Sequence, residues 1–162
     1  MDDVANAAGM TKQGLYVHFS GKHKLLEEAL HYYLQGSLLR VEAALSRTGA
    51  SLHDRLVSAL DEWFGTHIVM FDSAAYDIIE IGRLAPDPEI ERLKQQLRDK
   101  LAAAIAISQR RSREGNVCTP KELAALLFAF GLTWKDYAPD RAAFRKMLSL
   151  CVRASCQIER DR

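Results

Sequence analysis

Apolar residues recur along this chain at steps of three and four. From Ser51, the positions Leu52, Leu56, Val57, Leu60, Trp63, Phe64, Ile68 and Phe71, with His67 beside them, line one helical face. From Pro88 to about Glu114 the stripe is Ile90, Leu93, Leu97, Leu101 and Ile105. Leu123, Leu126, Leu127 and Phe130 repeat it, as do Phe144, Met147, Leu148, Cys151 and Val152. Lys22 to about Arg47 reads as one long helix with Leu26, Leu30, Tyr33, Leu34, Val41 and Leu45 inward. No convincing alternation of period two interrupts this, so the expected fold class is all-α.

Boundary signals agree with the stripes. Asp87-Pro88 offers an N-cap followed by proline at the first helical position, where its missing N–H is harmless. Thr119-Pro120-Lys121-Glu122 has the form of a capping box, with Gly115-Asn116 suiting the end of the helix before it. Gly49 separates two helices, and Ser51 with Asp54 opens the second. The pattern is weakest over 72–88, where a short helix from Ala74 to Leu84 and a turn at Ala85-Pro86 are expected.

The opening residues carry different chemistry. Val4, Ala5 and Ala8 share a face small enough for another helix to approach closely. Gly9 ends that helix with an expected positive φ, and Thr11 caps a second one running to about Val17. Two short helices joined by such a turn form a helix-turn-helix, whose second member enters the major groove of DNA. From Met10 to Leu26 the charged side chains are Lys12, Lys22 and Lys24, with no acid among them. That surplus suits phosphate contacts, while the Gln13 amide has the bidentate geometry that reads adenine. Tyr16 and His18 are able to donate to phosphate oxygens. The plainer alternative is a solvated basic surface, with Tyr16 a core residue whose hydroxyl sits at the rim.

Composition narrows the setting. The 162 residues have a formal net charge of +1, so a nucleic-acid partner has to be met by a local patch. Three cysteines, Cys118, Cys151 and Cys156, form no C-x-x-C pair and suit a reducing, cytoplasmic setting. No secretory leader and no apolar run of membrane-spanning length is visible. No histidine has a second ligand at metal-site spacing, and no cofactor is expected.

The stretch "DDVANAAGMTKQGLYVHFSGKHKLL" resembles the signature of TetR-family transcriptional regulators. Asp3, Val4-Ala5, Ala8-Gly9, Thr11, Leu15-Tyr16, His18-Phe19, Lys22 and Leu25 fill the positions of that signature, over about residues 2 to 30. His23 stands where the family usually has an acidic residue. The resemblance implies a helix-turn-helix head over 1–32, with Thr11, Lys12, Gln13, Gly14, Tyr16, His18 and Lys22 at a double-stranded DNA operator. It implies a helical ligand-binding and dimerisation domain over 33–162. In the family a further helix precedes the motif, so the chain is expected to start inside the second helix. Val4, Leu15, Phe19, Leu26 and Leu30 are then expected to lack apolar cover.

Within the second domain, Trp63, His67, Met70, Phe71, Tyr76 and Ile105 form the candidate site for a small, largely apolar effector. The same apolar stripe is read equally well as core, and His67 as a hydrogen-bonded core histidine. Leu123, Leu127, Phe130, Trp134, Phe144, Met147, Leu148 and Cys151 exceed what one small domain needs to bury, which points to a homodimer. The expected function is a ligand-responsive regulator, a repressor released from its operator by the effector. The alternative is a small-molecule-binding dimer expected to have lost DNA binding through truncation of the first helix. An enzyme built on Cys118 with His67 or His53 lacks any local motif, so no catalytic residue is assigned.

Overall fold

Five of the helices start where a side chain satisfies their first free N–H groups. The computed structural model describes residues 1–66, 68, 87–109 and 118–156. Helix α1 spans Asp2–Ala7, and Gly9 follows with φ +66°, the left-handed value expected of it. Helix α2 spans Lys12–His18, and the Thr11 hydroxyl accepts the Gly14 N–H at 3.0 Å. Helix α3, Lys22–Leu45, runs unbroken through the expected boundary after residue 32. Gly49, at φ +76°, turns the chain into α4, Leu52–Leu60. There Ser51 Oγ accepts the Asp54 N–H at 3.1 Å.

A π turn, Asp61–Gly65, continues from α4. Helix α5 spans Pro88–Gln109, with Asp87 Oδ1 accepting the Glu89 N–H at 2.8 Å. Helix α6 spans Pro120–Trp134 behind a complete capping box: Thr119 Oγ1 accepts the Glu122 N–H at 3.3 Å, and Glu122 Oε2 accepts the Thr119 N–H at 2.8 Å. Helix α7 spans Arg141–Cys156. Its start uses a cap the periodicity did not mark, with Asp140 Oδ1 accepting the Ala143 N–H at 2.7 Å. Among the described residues there is no strand.

The core lies where α3 meets α4 and α5, where α5 meets α6, and where α7 closes over α4 and α6. Leu56, Leu97, Leu101, Leu127, Phe144, Leu148 and Val152 have no exposed surface. Each such side chain stabilises the fold by about 1.5–3 kcal/mol relative to exposure. Helix α1 packs on α2, and Ala5 and Leu15 are buried between them but stand apart from this core. Two details of the stripes need correction. Leu126 is half exposed, because α6 is apolar on more than one face and only Leu123, Ala124, Leu127, Phe128 and Gly131 turn inward. Ser37, which no apolar stripe includes, is fully buried on α3, where its hydroxyl accepts a hydrogen bond from Arg40 at 2.8 Å. The expected helix over 74–84, the 85–86 turn and Gly115-Asn116 lie outside the described residues.

Candidate nucleic-acid interface and effector region

The turn between α1 and α2 is what presents the candidate interface. Gly9 reverses the chain, Thr11 starts α2, and burial of Leu15 orients that helix against α1. The face opposite Leu15 is open: Lys12, Gln13, Tyr16 and His18 are exposed, with Tyr16 at 46% and Val17 at 79%. Gly14 is half-buried, and a Cβ there would sit 3.2 Å from Thr11 Oγ1, crowding the cap. Tyr16 therefore lies on the surface and is not a core residue. Lys22 is exposed in the first turn of α3, whose N-cap Gly21 provides no side-chain hydrogen bond.

The fold changes the electrostatics read from the local sequence. Lys12 Nζ lies 2.9 Å from Asp2 Oδ2, an acid ten positions away on α1. Lys24 pairs with Glu28 at 3.0 Å and with Glu27 at 3.4 Å. The hydrogen bond from Lys12 lowers the pKa of Asp2 and raises its own, and Glu28, then Glu27, raise that of Lys24. Of the three lysines in the acid-free stretch, Lys22 alone makes no ion pair among the described residues. The Lys12–Asp2 and Lys24–Glu28 pairs are exposed, so solvent screens them and neither holds its lysine firmly.

Of the effector candidates, Trp63 and Ile105 are described, and both are buried in the core at 3% and 1% exposure. His67, Met70, Phe71 and Tyr76 lie outside the described residues. The dimer candidates divide into two groups. Leu123, Leu127, Phe144 and Leu148 are buried within the single chain, so they have no surface left for a partner; the broad apolar faces of α6 and α7 concealed which side meets α3–α5. Phe130, Trp134, Met147 and Cys151 keep partial exposure. Phe130 and Trp134 stack at 6.1 Å, and Trp134 and Tyr137 at 6.5 Å. Leu126, Leu132, Tyr137 and Leu150 add exposed apolar surface that the sequence reading left out, apart from Leu126.

Helical periodicity also missed a polar cluster around the π turn. Asp61 is 3% exposed, and its carboxylate accepts from Arg141 Nε and Nη2 at 3.0 Å each and from Arg145 Nη1 at 2.8 Å. Glu62 accepts from Arg40 Nε at 3.1 Å. Thr66 Oγ1 donates to the Glu62 carbonyl at 3.2 Å, which leaves the Tyr33 hydroxyl as donor to Thr66 Oγ1 at 2.6 Å. The signal available in the sequence was Asp61 at an inward position of an apolar stripe, where an acid requires a partner. His53, weighed above as a base for Cys118, is engaged elsewhere: Nε2 lies 3.0 Å from Ser149 Oγ and Nδ1 lies 3.1 Å from Asp54 Oδ1, tying α4 to α7. Burial pushes the Cys156 thiol up to about 11 and raises that of Cys151, so neither is a thiolate near neutral pH.

Residues 1–29 match the family model for bacterial regulatory proteins, tetR family. The HTH-type transcriptional activator FasR of Mycolicibacterium smegmatis is 31% identical to this chain over 90 residues. The match covers 56% of this chain and 40% of that relative, so it spans less than half of the relative's length. No solved structure matches the chain at a significant level. No described helix is long and apolar enough to cross a membrane, and no described cluster of His, Cys, Asp or Glu has the makings of a metal site.

Proposed function

We propose that this chain, a member of the tetR family of bacterial regulatory proteins, is a DNA-binding transcriptional regulator that responds to a small molecule. The observation that carries the reading is α2 itself: a Thr11-capped helix, fixed by Leu15, with Gln13, Tyr16 and His18 facing outward. In a major groove, Gln13 reads a base edge, while Lys12, Tyr16, His18 and Lys22 contact phosphates. Thr11 and Gly14 set the start of the helix. FasR is an activator by name, so a promoter fusion carrying the chain reads the sign of its regulation directly.

A mobility-shift titration with DNA from upstream of its own coding region tests the reading. Lys22→Ala weakens binding similarly on all sequences and lowers the salt slope by about one unit. Gln13→Ala relaxes preference at one base position; equal loss on every sequence rules out that role for it. The second reading, an effector-binding dimer without DNA affinity, is favoured by the neutralising pairs on Lys12 and Lys24. It predicts no salt-dependent shift with any DNA.

The effector site in this proposal includes Trp63 and Ile105, together with His67, Met70, Phe71 and Tyr76. The dimer face is the exposed side of α6 and α7, with Leu126, Phe130, Trp134, Met147, Leu150 and Cys151. Such a dimer has to set its two α2 helices about 34–36 Å apart to meet successive major grooves. Leu126→Asp leaves the chain folded, since the side chain is 51% exposed, but splits the dimer in sedimentation at micromolar concentration. A wild-type monomer in that experiment removes the dimer from the proposal.

A further inference from the structure

The π turn puts five consecutive residues to work in three directions. Asp61 reaches α7 through Arg141 and Arg145. Glu62 reaches α3 through Arg40, and Thr66, next in the chain, reaches α3 through Tyr33. Trp63 and Phe64 point into the core, where the Phe64 ring meets Phe128 of α6 edge-on at 5.5 Å.

Two glycines make this geometry possible. A Cβ on Gly65 would overlap Asp61 Oδ1, so the carboxylate folds back over its own turn only because residue 65 has no side chain. A Cβ on Gly131 of α6 would fall 2.5 Å from the Phe64 ring. Such a turn holds an extra residue against the α-helical register, and turns of this kind recur where a helix performs a task beyond packing. The buried carboxylate is satisfied by three charge-assisted hydrogen bonds from a helix 80 or more positions away, so the turn cannot shift without breaking them.

We infer that the π turn is a clasp that fixes the seat of α3 against α7 and the core, and so couples the core to the helix leading out of the head. Helix α3 begins at Lys22, beside the DNA-binding elements, and its middle turns are held by Arg40 and Tyr33. A displacement of Trp63 or Phe64 moves Asp61 and Glu62 with them, because all four belong to one turn. This inference deepens the regulator reading by assigning the route from effector region to head. Its physical content, coupling between α7 and α3 through the π turn, does not depend on any effector or DNA.

Amide hydrogen exchange on the full chain, without DNA or small molecule, tests it. Arg141→Gln with Arg145→Gln alters α7 alone, yet the amides of residues 34–41 in α3 are expected to exchange at least tenfold faster. Those of residues 93–101 in α5 and 123–128 in α6 are expected to change less than twofold. Equal acceleration everywhere signals a general loss of stability and overturns the clasp, as does acceleration confined to α4 and α7. If the double variant does not fold, Arg145→Gln alone is measured against the same two outcomes. Gly65→Ala provides the second arm, since it leaves every charge in place. The clasp predicts the same acceleration of α3, whereas a gain in stability with α3 unchanged, the ordinary result of Gly→Ala in a helix, overturns it. Absence of DNA binding in the mobility-shift assay leaves this result untouched, so the two readings fail separately.

Discussion

The residues before α3 and the helices after its first turns are built on opposite terms. In the head, α1 and α2 bury little beyond Ala5 and Leu15, and Val4, Tyr16 and Val17 face solvent. Beyond that packing, the Gly9 turn and one exposed ion pair join them. In the body, six helical segments share one core, and their starts are capped by Ser51, Asp87, Thr119 and Asp140. Yet the family model matches residues 1–29, within the head and the start of α3, and not the body. Recognition chemistry requires particular residues at exposed positions, so it writes a readable motif. A core requires only apolar volume at the right spacing, so many sequences satisfy it.

The largest expected contrast is in core truncation. Leu101→Ala removes a side chain with no exposed surface from the centre of α5, and is expected to cost about 2–5 kcal/mol. Val17→Ala, at an exposed position of α2, is expected to stay within about 0.5 kcal/mol. Urea unfolding followed by circular dichroism measures both. A Val17→Ala loss comparable with that of Leu101→Ala would mean that the head is integrated with the body.

What was legible in the sequence follows the same division. The Gly9 turn, the Thr11 cap, the Asp87-Pro88 start and the Thr119–Glu122 box are local rules, complete within a few residues, and all four appear as expected. The inward rows of α5 and the Phe144–Leu148–Val152 row of α7 were legible for the same reason. What escaped depends on distant residues. Lys12 looked free because Asp2 lies outside the window in which its charge was counted. Asp61 finds Arg141 across 80 positions, and no local pattern marks a π turn. The faces of α6 and α7 that meet the body were indistinguishable, by hydrophobicity alone, from faces left for a partner.

Caps offer a sharper test, because the same device occurs in both regions. Ser51→Ala removes the acceptor for the Asp54 N–H at the start of α4, and Thr11→Ala removes that for Gly14 at the start of α2. A cap is worth about 0.5–2 kcal/mol wherever it sits. In the body that loss is expected to appear in the global transition, lowering its midpoint. In the head it is expected to appear only as faster exchange of amides in residues 12–18, because that unit opens by itself. A global shift for Thr11→Ala equal to that for Ser51→Ala erases the distinction.

Acid titration reaches the body through its caps. The pKa of Asp54 is lowered by the Ser51 hydroxyl and His53, and that of Glu122 by the N–H and hydroxyl of Thr119. Burial opposes ionisation of Asp87, but the Glu89 N–H, His31 and the Ile90 N–H outweigh it, and its value is lowered too. A carboxylate depressed in the folded state contributes stability that is fully present above its unfolded value, near pH 4, and that is lost as pH falls through the depressed value. Thermal midpoints are therefore expected to hold from pH 7 to about 5 and to decline below about 4. Asp87→Asn is expected to make that decline shallower; an unchanged acid limb would remove Asp87 from the account.

The smallest expected effect on stability belongs to the ion pair between Asp2 and Lys12, and it separates what the head contributes to folding from what it contributes to binding. Both side chains are exposed, so solvent already screens them and Asp2→Asn is expected to leave the thermal midpoint where it was. Its effect on DNA is expected to be larger. With Asp2 neutral, Lys12 no longer has an acidic partner to leave for the proposed phosphate contact, and a negative charge is removed from the face proposed to meet the duplex. Affinity at low salt is then expected to rise, with the salt slope steepening by up to about one unit. The change should be similar on all sequences, because a point charge facing a phosphate carries no base information. Loss of stability without any change in DNA affinity would reverse the assignment, making the pair a structural tie within the head and Lys12 a poor candidate for the interface.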